Sequence, residues 1–124
     1  LLGNAAEFLD PVFSSGVTIA LRSASLAAPL VDRQLRGESV DWEAEFARPL
    51  KAGVDTFRAY VEGWYDGSFQ DVIYFEHADP EIKRMICAIL AGYAWDVRNP
   101  FVKEPRRRLR LLVELCQLNS AHPA

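Results

Sequence analysis

The chain has 124 residues, half of them apolar and a quarter charged, with a formal net charge of −3. That length supports one domain with a modest core, and the acidic balance argues against a broad nucleic-acid-binding face. No run approaches the ~18 apolar residues of a membrane-spanning helix, and the apolar start lacks the positive n-region of a signal peptide, so a cytoplasmic setting without membrane contact is expected.

The opening, LLGNAAEFLDPVFSSGV, does not begin like an independent helical bundle. Leu1-Leu2-Gly3 reads as the end of a strand running into a turn of small residues. Asp10-Pro11 pins a turn, and Ser14-Ser15-Gly16 opens a helix whose first amide hydrogens have no partner inside it. From Val17 to Arg36 the apolar positions 17, 20, 21, 24, 27, 28, 31 and 35 follow a helical period. Many are alanines, which permit close approach to a neighbour. Pro29 is expected to kink or divide this helix, and Gly37 to stop it.

Ser39 or Asp41 can cap the next segment. Trp42, Phe46, Leu50, Val54, Phe57, Val61 and Trp64 step by three or four and mark one long amphipathic stripe. Pro49 is expected to bend it, and Asp66-Gly67 to end it. Ser68-Phe69-Gln70-Asp71 resembles a capping box for a short helix reaching about Glu76. Asp79-Pro80-Glu81 is a helix start with cap, Pro and acid in order, followed by an apolar face at Ile82, Met85, Ile86, Ile89, Leu90 and Tyr93. Asn99-Pro100 is a second start of the same type. Glu104-Pro105 interrupts that segment or begins the last helix, whose apolar side is Leu109, Leu112, Val113, Leu115 and Cys116. The chain therefore reads as mainly α, with at most a strand end at residues 1–3. It divides into a turn over 1–16, a helical region over 17–118 and a tail over 119–124.

Chemistry-bearing residues are few. Cys87 and Cys116 each sit in an apolar helical pattern and read as reduced thiols. They and the two histidines, His77 and His122, have no metal-ligand spacing. Glu7, Glu76 and Asp79 have no diagnostic carboxylate partner, so no catalytic residue is assigned. The run Arg106-Arg107-Arg108 with Arg110 reads as a solvated helix face.

The opening turn resembles the second FAD-binding motif of flavin-dependent monooxygenases and reductases, in which Gly-Asp-Ala precedes a spacer, Asp-Pro, and a glycine-containing loop into a helix. "FLDPVFSSGV" and "GYAWDVRNPF" are most similar to the tryptophan-halogenase-like branch. The resemblance implies the helical C-terminal portion of an α/β, FAD/NAD(P)-binding flavoprotein. Gly3, Ala5 and Ala6 would pack under the ribityl and pyrophosphate region, and Asn4 would stand where the family's acid bonds a ribityl hydroxyl or the pyrophosphate side. Asp10 and Pro11 would shape the turn beside the ring. Ser14, Ser15 and Gly16 would approach its edge, and Ser15 and Gly16 would also serve any halide. Tyr93 and Trp95 are the candidates for an aromatic substrate pocket.

No G-x-G-x-x-G unit occurs, so the dinucleotide-binding part is expected to be a missing N-terminal partner, and the 124-residue chain alone to be inactive. A flavin reductase and a small-molecule substrate are further implied partners. Self-association through exposed apolar surface would follow from separation. The alternative is a non-catalytic helical interaction domain that resembles or descends from a flavoprotein fragment.

Overall fold

The computed structural model describes residues 1–11, 13, 15–76 and 78–121, with side chains to Leu118. His77 and His122 therefore lie outside the described residues. Six α-helices follow in chain order among the described residues: α1 (Ser15–Leu35), α2 (Arg48–Tyr65), α3 (Ser68–Ile73), α4 (Pro80–Leu90), α5 (Pro100–Lys103) and α6 (Pro105–Ala121). No strand occurs among those residues, so the fold is mainly α. Leu2 has extended dihedrals, but Gly3–Ala5 closes at once into a single 3₁₀ turn. An isolated extended residue without a partner strand makes no ladder. The chain divides into two compact units, Leu1–Asp55 and Thr56–Ala124, with α2 running from one into the other.

In the first unit, α1 continues through Pro29 without a break. Pro29 and Ser25 are both exposed, so the carbonyl that loses its donor to the proline is open to water. The helix stops where expected: Gly37 has φ +86°, its N–H donates to Gln34 O (3.0 Å), and Glu38 N–H donates to Arg33 O (3.1 Å). This is a Schellman closure.

The apolar residues that mark the α1 period are mostly not the ones it buries. Ser15, Ile19, Ser23, Ala27 and Leu30 face inward, whereas Val17, Leu21, Ala24, Ala28, Val31 and Leu35 are exposed. The reason is local: the 3₁₀ turn packs on α1 at its small side chains, where Ser23 supplies a hydrogen-bond acceptor to the turn's backbone.

The connection to α2 is fixed by polar groups. Asp41 Oδ1 accepts from Ala44 N–H (2.9 Å), and Glu45 Oε1 accepts from Asp41 N–H (3.2 Å). Of the two expected caps, Asp41 is the one used. Arg33 reaches both Glu38 and Glu45. A π-helical turn, Glu43–Ala47, precedes Pro49, whose missing N–H interrupts the regular ladder.

In the second unit the inward side chains include Phe57, Tyr60, Phe69, Ile86, Ile89, Phe101, Leu109 and Leu112. Tyr60 is almost fully buried and donates its hydroxyl to Phe101 O (3.0 Å), and its ring meets Phe69 edge-on at 5.1 Å. Gly63 permits a close approach: a Cβ there would stand 2.7 Å from Leu109 Cδ2 and 3.3 Å from Phe69 Cβ. At α3, Asp66 supplies the cap rather than Ser68: its Oδ1 accepts from Ser68 N–H (2.8 Å), while the Ser68 hydroxyl turns back to Gly63 O.

Asp79 caps α4 through Glu81 N–H (2.7 Å). Asn99 caps α5 through Phe101 N–H (3.0 Å) and also donates to Met85 O (2.8 Å), which ties α5 to α4. Gly92, at φ +103°, closes α4 with Gly92 N–H to Ile89 O and Tyr93 N–H to Ala88 O. That closure leaves Tyr93 64 % exposed rather than on the buried face of α4.

Candidate functional site

The opening turn and the N-terminus of α1 form one local structure. Gly3 is buried with φ +55°, and a Cβ there would stand 3.1 Å from Ala20 Cβ. Both the dihedral and the tight space therefore favour glycine. Gly3 N–H donates to Ser23 Oγ (3.1 Å), whose own hydroxyl donates to Ala20 O (2.9 Å). Gly3 O accepts from Ala6 N–H and Glu7 N–H. Ser23 is thus the buried anchor of the turn, a role the sequence pattern does not reveal. Its only signal is a serine among the residues on the inner side of an apolar helix.

This anchoring sets Asn4 over the first turn of α1. A Cβ on Gly16 would stand 2.7 Å from Asn4 Oδ1, so the amide occupies the space that a side chain at 16 would take. Asn4 and Ala5 are exposed. Asp10 is buried, and its Oδ1 accepts from Phe13 N–H (3.2 Å), closing the turn before α1. Pro11 is an exposed bend beside it, and Ser14 lies outside the described residues.

Ser15 carries the main chemical oddity. It is 2 % exposed, and its hydroxyl has no hydrogen-bond partner within the chain. An unpaired buried hydroxyl is costly, so native structures rarely keep one without use. The first turn of α1 also contains no acidic residue. The exposed Asn4 amide and the amide hydrogens of a helix start are hydrogen-bond donors beside this buried hydroxyl. Such a set suits the carbonyl and nitrogen edge of a flavin ring, or an anion. The residues present therefore fit a flavin.

The two residues expected at a substrate pocket lie in the second unit and differ in setting. Trp95 is half-buried, its ring edge-on to Phe57 at 6.0 Å, whereas Tyr93 points to solvent. A separate groove of about 300 Å³ lies among Glu62, Asp66, Ser68, Arg106 and Arg110. Arg106 pairs with Glu62 across it and holds the Glu62 carboxyl below its ordinary range. Hydrogen bonds from Ser68 lower Asp66 in the same way. Among the described residues no cluster of His, Cys, Asp or Glu could hold a metal, and no helix is long and apolar enough to cross a membrane.

No family model matches the chain. A 1H-pyrrole-2-carbonyl-[peptidyl-carrier protein] chlorinase of Pseudomonas fluorescens is 24% identical over 116 residues, 92% of this chain and 25% of its own. A flavin-dependent halogenase of Armillaria mellea is 37% identical over 54 residues, 44% of this chain and 10% of its own. The crystal structure of a flavoprotein/dehydrogenase from Cytophaga hutchinsonii superposes with a TM-score of 0.93 at 48% identity, over 97% of this chain and 30% of that one. The chain is thus related to flavin-dependent halogenases and to a flavoprotein of known structure, and has the helical fold of part of such a flavoprotein. It spans about a quarter of the chlorinase.

Proposed function

We propose that this chain acts as the C-terminal part of a FAD-dependent oxidoreductase of the halogenase or monooxygenase type. It would form one wall of the flavin site and a helical cover over a small, aromatic substrate. The observation that carries this reading is the buried, unpartnered Ser15 hydroxyl at the acid-free start of α1.

In this reading Gly3 and Ala5 leave room for the ribityl and pyrophosphate region, and Asn4 bonds a ribityl hydroxyl. Asp10 and Pro11 hold the turn. Ser14, Ser15 and Gly16 present donors to the ring edge, and Ser15 and Gly16 to a halide. Trp95 and Tyr93 contact the substrate. The flavin, when bound, supplies the oxidising chemistry for oxygenation or halide oxidation, while the protein orients it and excludes water. A dinucleotide-binding part completes the site, a flavin reductase supplies electrons, and the whole works in the cytoplasm.

The source gene on both sides of these 124 codons tests the reading. An in-frame G-x-G-x-x-G unit upstream supports it; its absence from a complete open reading frame favours a non-catalytic interaction domain. A substitution gives an independent check. Ser15→Ala removes a hydroxyl that has no partner in the chain, so it should leave thermal stability unchanged or raise it by about 1 kcal/mol. In the flavin-loaded protein it should weaken retention of FAD about 10-fold. Ser15→Ala that destabilises the chain, or leaves FAD retention unchanged, refutes the assignment.

A further inference from the structure

Gly16, Ala20 and Ser23 step by four and three, so they lie on one face of α1 within about 60° of one another. The opening turn rests on that face at two levels. Gly3 stands at the level of Ala20 and Ser23: its N–H donates to Ser23 Oγ (3.1 Å), and a Cβ on it would stand 3.1 Å from Ala20 Cβ. The Asn4 side chain lies one to two turns nearer the helix start, with Oδ1 where a Cβ on Gly16 would come within 2.7 Å. Gly3 is buried and Ser23 is 0% exposed, whereas Asn4 is open to solvent. The closed end of the turn is thus at Ser23 and its accessible end at Asn4.

We infer that Ser23 is the positioning residue of the candidate site: by holding Gly3 it sets the Asn4 amide over Gly16 at the start of α1. Naming a flavin as what that amide meets rests on the proposed function; the anchoring itself does not. The Ser23 hydroxyl gives its own proton to Ala20 O (2.9 Å), so the lone pairs of Oγ are left for the Gly3 donor. A buried backbone N–H needs an acceptor, and here the acceptor comes from a residue 20 positions along the chain. On its other side, Gly3 O accepts from Ala6 N–H and Glu7 N–H. The peptide units before and after Gly3 are therefore both fixed, and Asn4 follows directly. Without the Ser23 hydroxyl, the Gly3 N–H either stays unsatisfied in a buried setting or draws in water and lifts the turn from α1. Asn4 loses its fixed place in both cases.

Amide exchange and NMR of the full 124-residue chain test it. In Ser23→Ala the Gly3 N–H should exchange about 10-fold faster relative to the amides of Ala27 and Leu30 in the same helix. The signals of the Asn4 side-chain amide and of Gly16 N–H should shift with it. Ser23→Cys, which fills the space with a weaker acceptor, should do the same to a smaller extent. Ile19→Val is the packing control: Ile19 is also 0% exposed on the inner side of α1. Its shortening should lower stability and leave the relative exchange of Gly3 and the Asn4 signal in place. In the flavin-loaded protein, Ser23→Ala should weaken FAD retention about 10-fold. It should add little in an Asn4→Ala background, because it acts through Asn4. Unchanged relative exchange at Gly3, an unmoved Asn4 signal in Ser23→Ala, or an equal response to Ile19→Val overturns the inference. So does FAD retention that Asn4→Ala lowers and Ser23→Ala does not, or a full Ser23→Ala effect in the Asn4→Ala background. If neither Ser15→Ala nor Asn4→Ala alters FAD retention, the flavin reading fails, and the exchange and NMR results decide the anchoring on their own.

Discussion

Tyr60→Phe isolates one buried hydrogen bond. The side chain is 1% exposed, and its hydroxyl donates to Phe101 O at 3.0 Å. Phenylalanine keeps the ring, its edge-on contact with Phe69 and the apolar packing, and removes only the donor. The Phe101 carbonyl then loses that partner in a buried setting. The expected loss is about 1–2 kcal/mol, or a fall in Tm of about 4–8 °C for a chain of this size.

A second signature distinguishes this from a generic packing defect. Burial raises the Tyr60 pKa well above its ordinary value of 10.0. The folded state therefore keeps the proton while the unfolded state releases it above about pH 10. The contribution of Tyr60 is complete below the unfolded pKa and is lost as pH rises above it, at up to about 1.4 kcal/mol per pH unit. Urea unfolding at about pH 8 and at several values above about pH 10 should show the wild-type advantage over Tyr60→Phe shrinking with that slope. Tyr65, Tyr74 and Tyr93 are exposed and remain present in both proteins, so they cancel in the difference. A Tyr60→Phe protein as stable as wild type near neutral pH, or a gap that does not narrow in strong alkali, would falsify the buried donor.

Two further outcomes follow from packing in the second unit. Gly63→Val places branched carbon where even a Cβ stands 2.7 Å from Leu109 Cδ2. Leu109 is itself buried, so the chain should lose at least about 2 kcal/mol in urea denaturation; a neutral result would mean that Leu109 is free to move. The two thiols should separate kinetically. Cys87 is exposed, whereas burial, and then the charge of Asp71, push the Cys116 thiol upward. A thiol reagent at about pH 7 should titrate one group at once and the second only on unfolding, and equal rates would contradict the burial of Cys116.

The helix starts were legible because their signals are short-range. Asp79-Pro80 and Asn99-Pro100 cap through their own next turn, and Gly37 and Gly92 end helices through dihedrals that favour glycine. Ser68 was misleading for the same local reason: Asp66, two residues earlier, accepts from the Ser68 N–H with a charged oxygen, and the serine hydroxyl is drawn to Gly63 O instead of to an amide further along α3. The flavin-like turn was legible as a string of small residues, Asp-Pro and Gly. That Ser15 is buried without a partner, and that Asn4 fills the space above Gly16, could not be read from residue types, because both depend on where α1 is held.

The sequence by itself determined which segments become helices and where they end, since caps, prolines and a period of about 3.6 residues act over one or two turns. Only the tertiary structure decided which side of α1 is buried. Both sides are apolar enough to be a core, and the choice was made twenty residues away, by Gly3 finding in Ser23 an acceptor for its backbone and in Ala20 a side chain small enough to pack against.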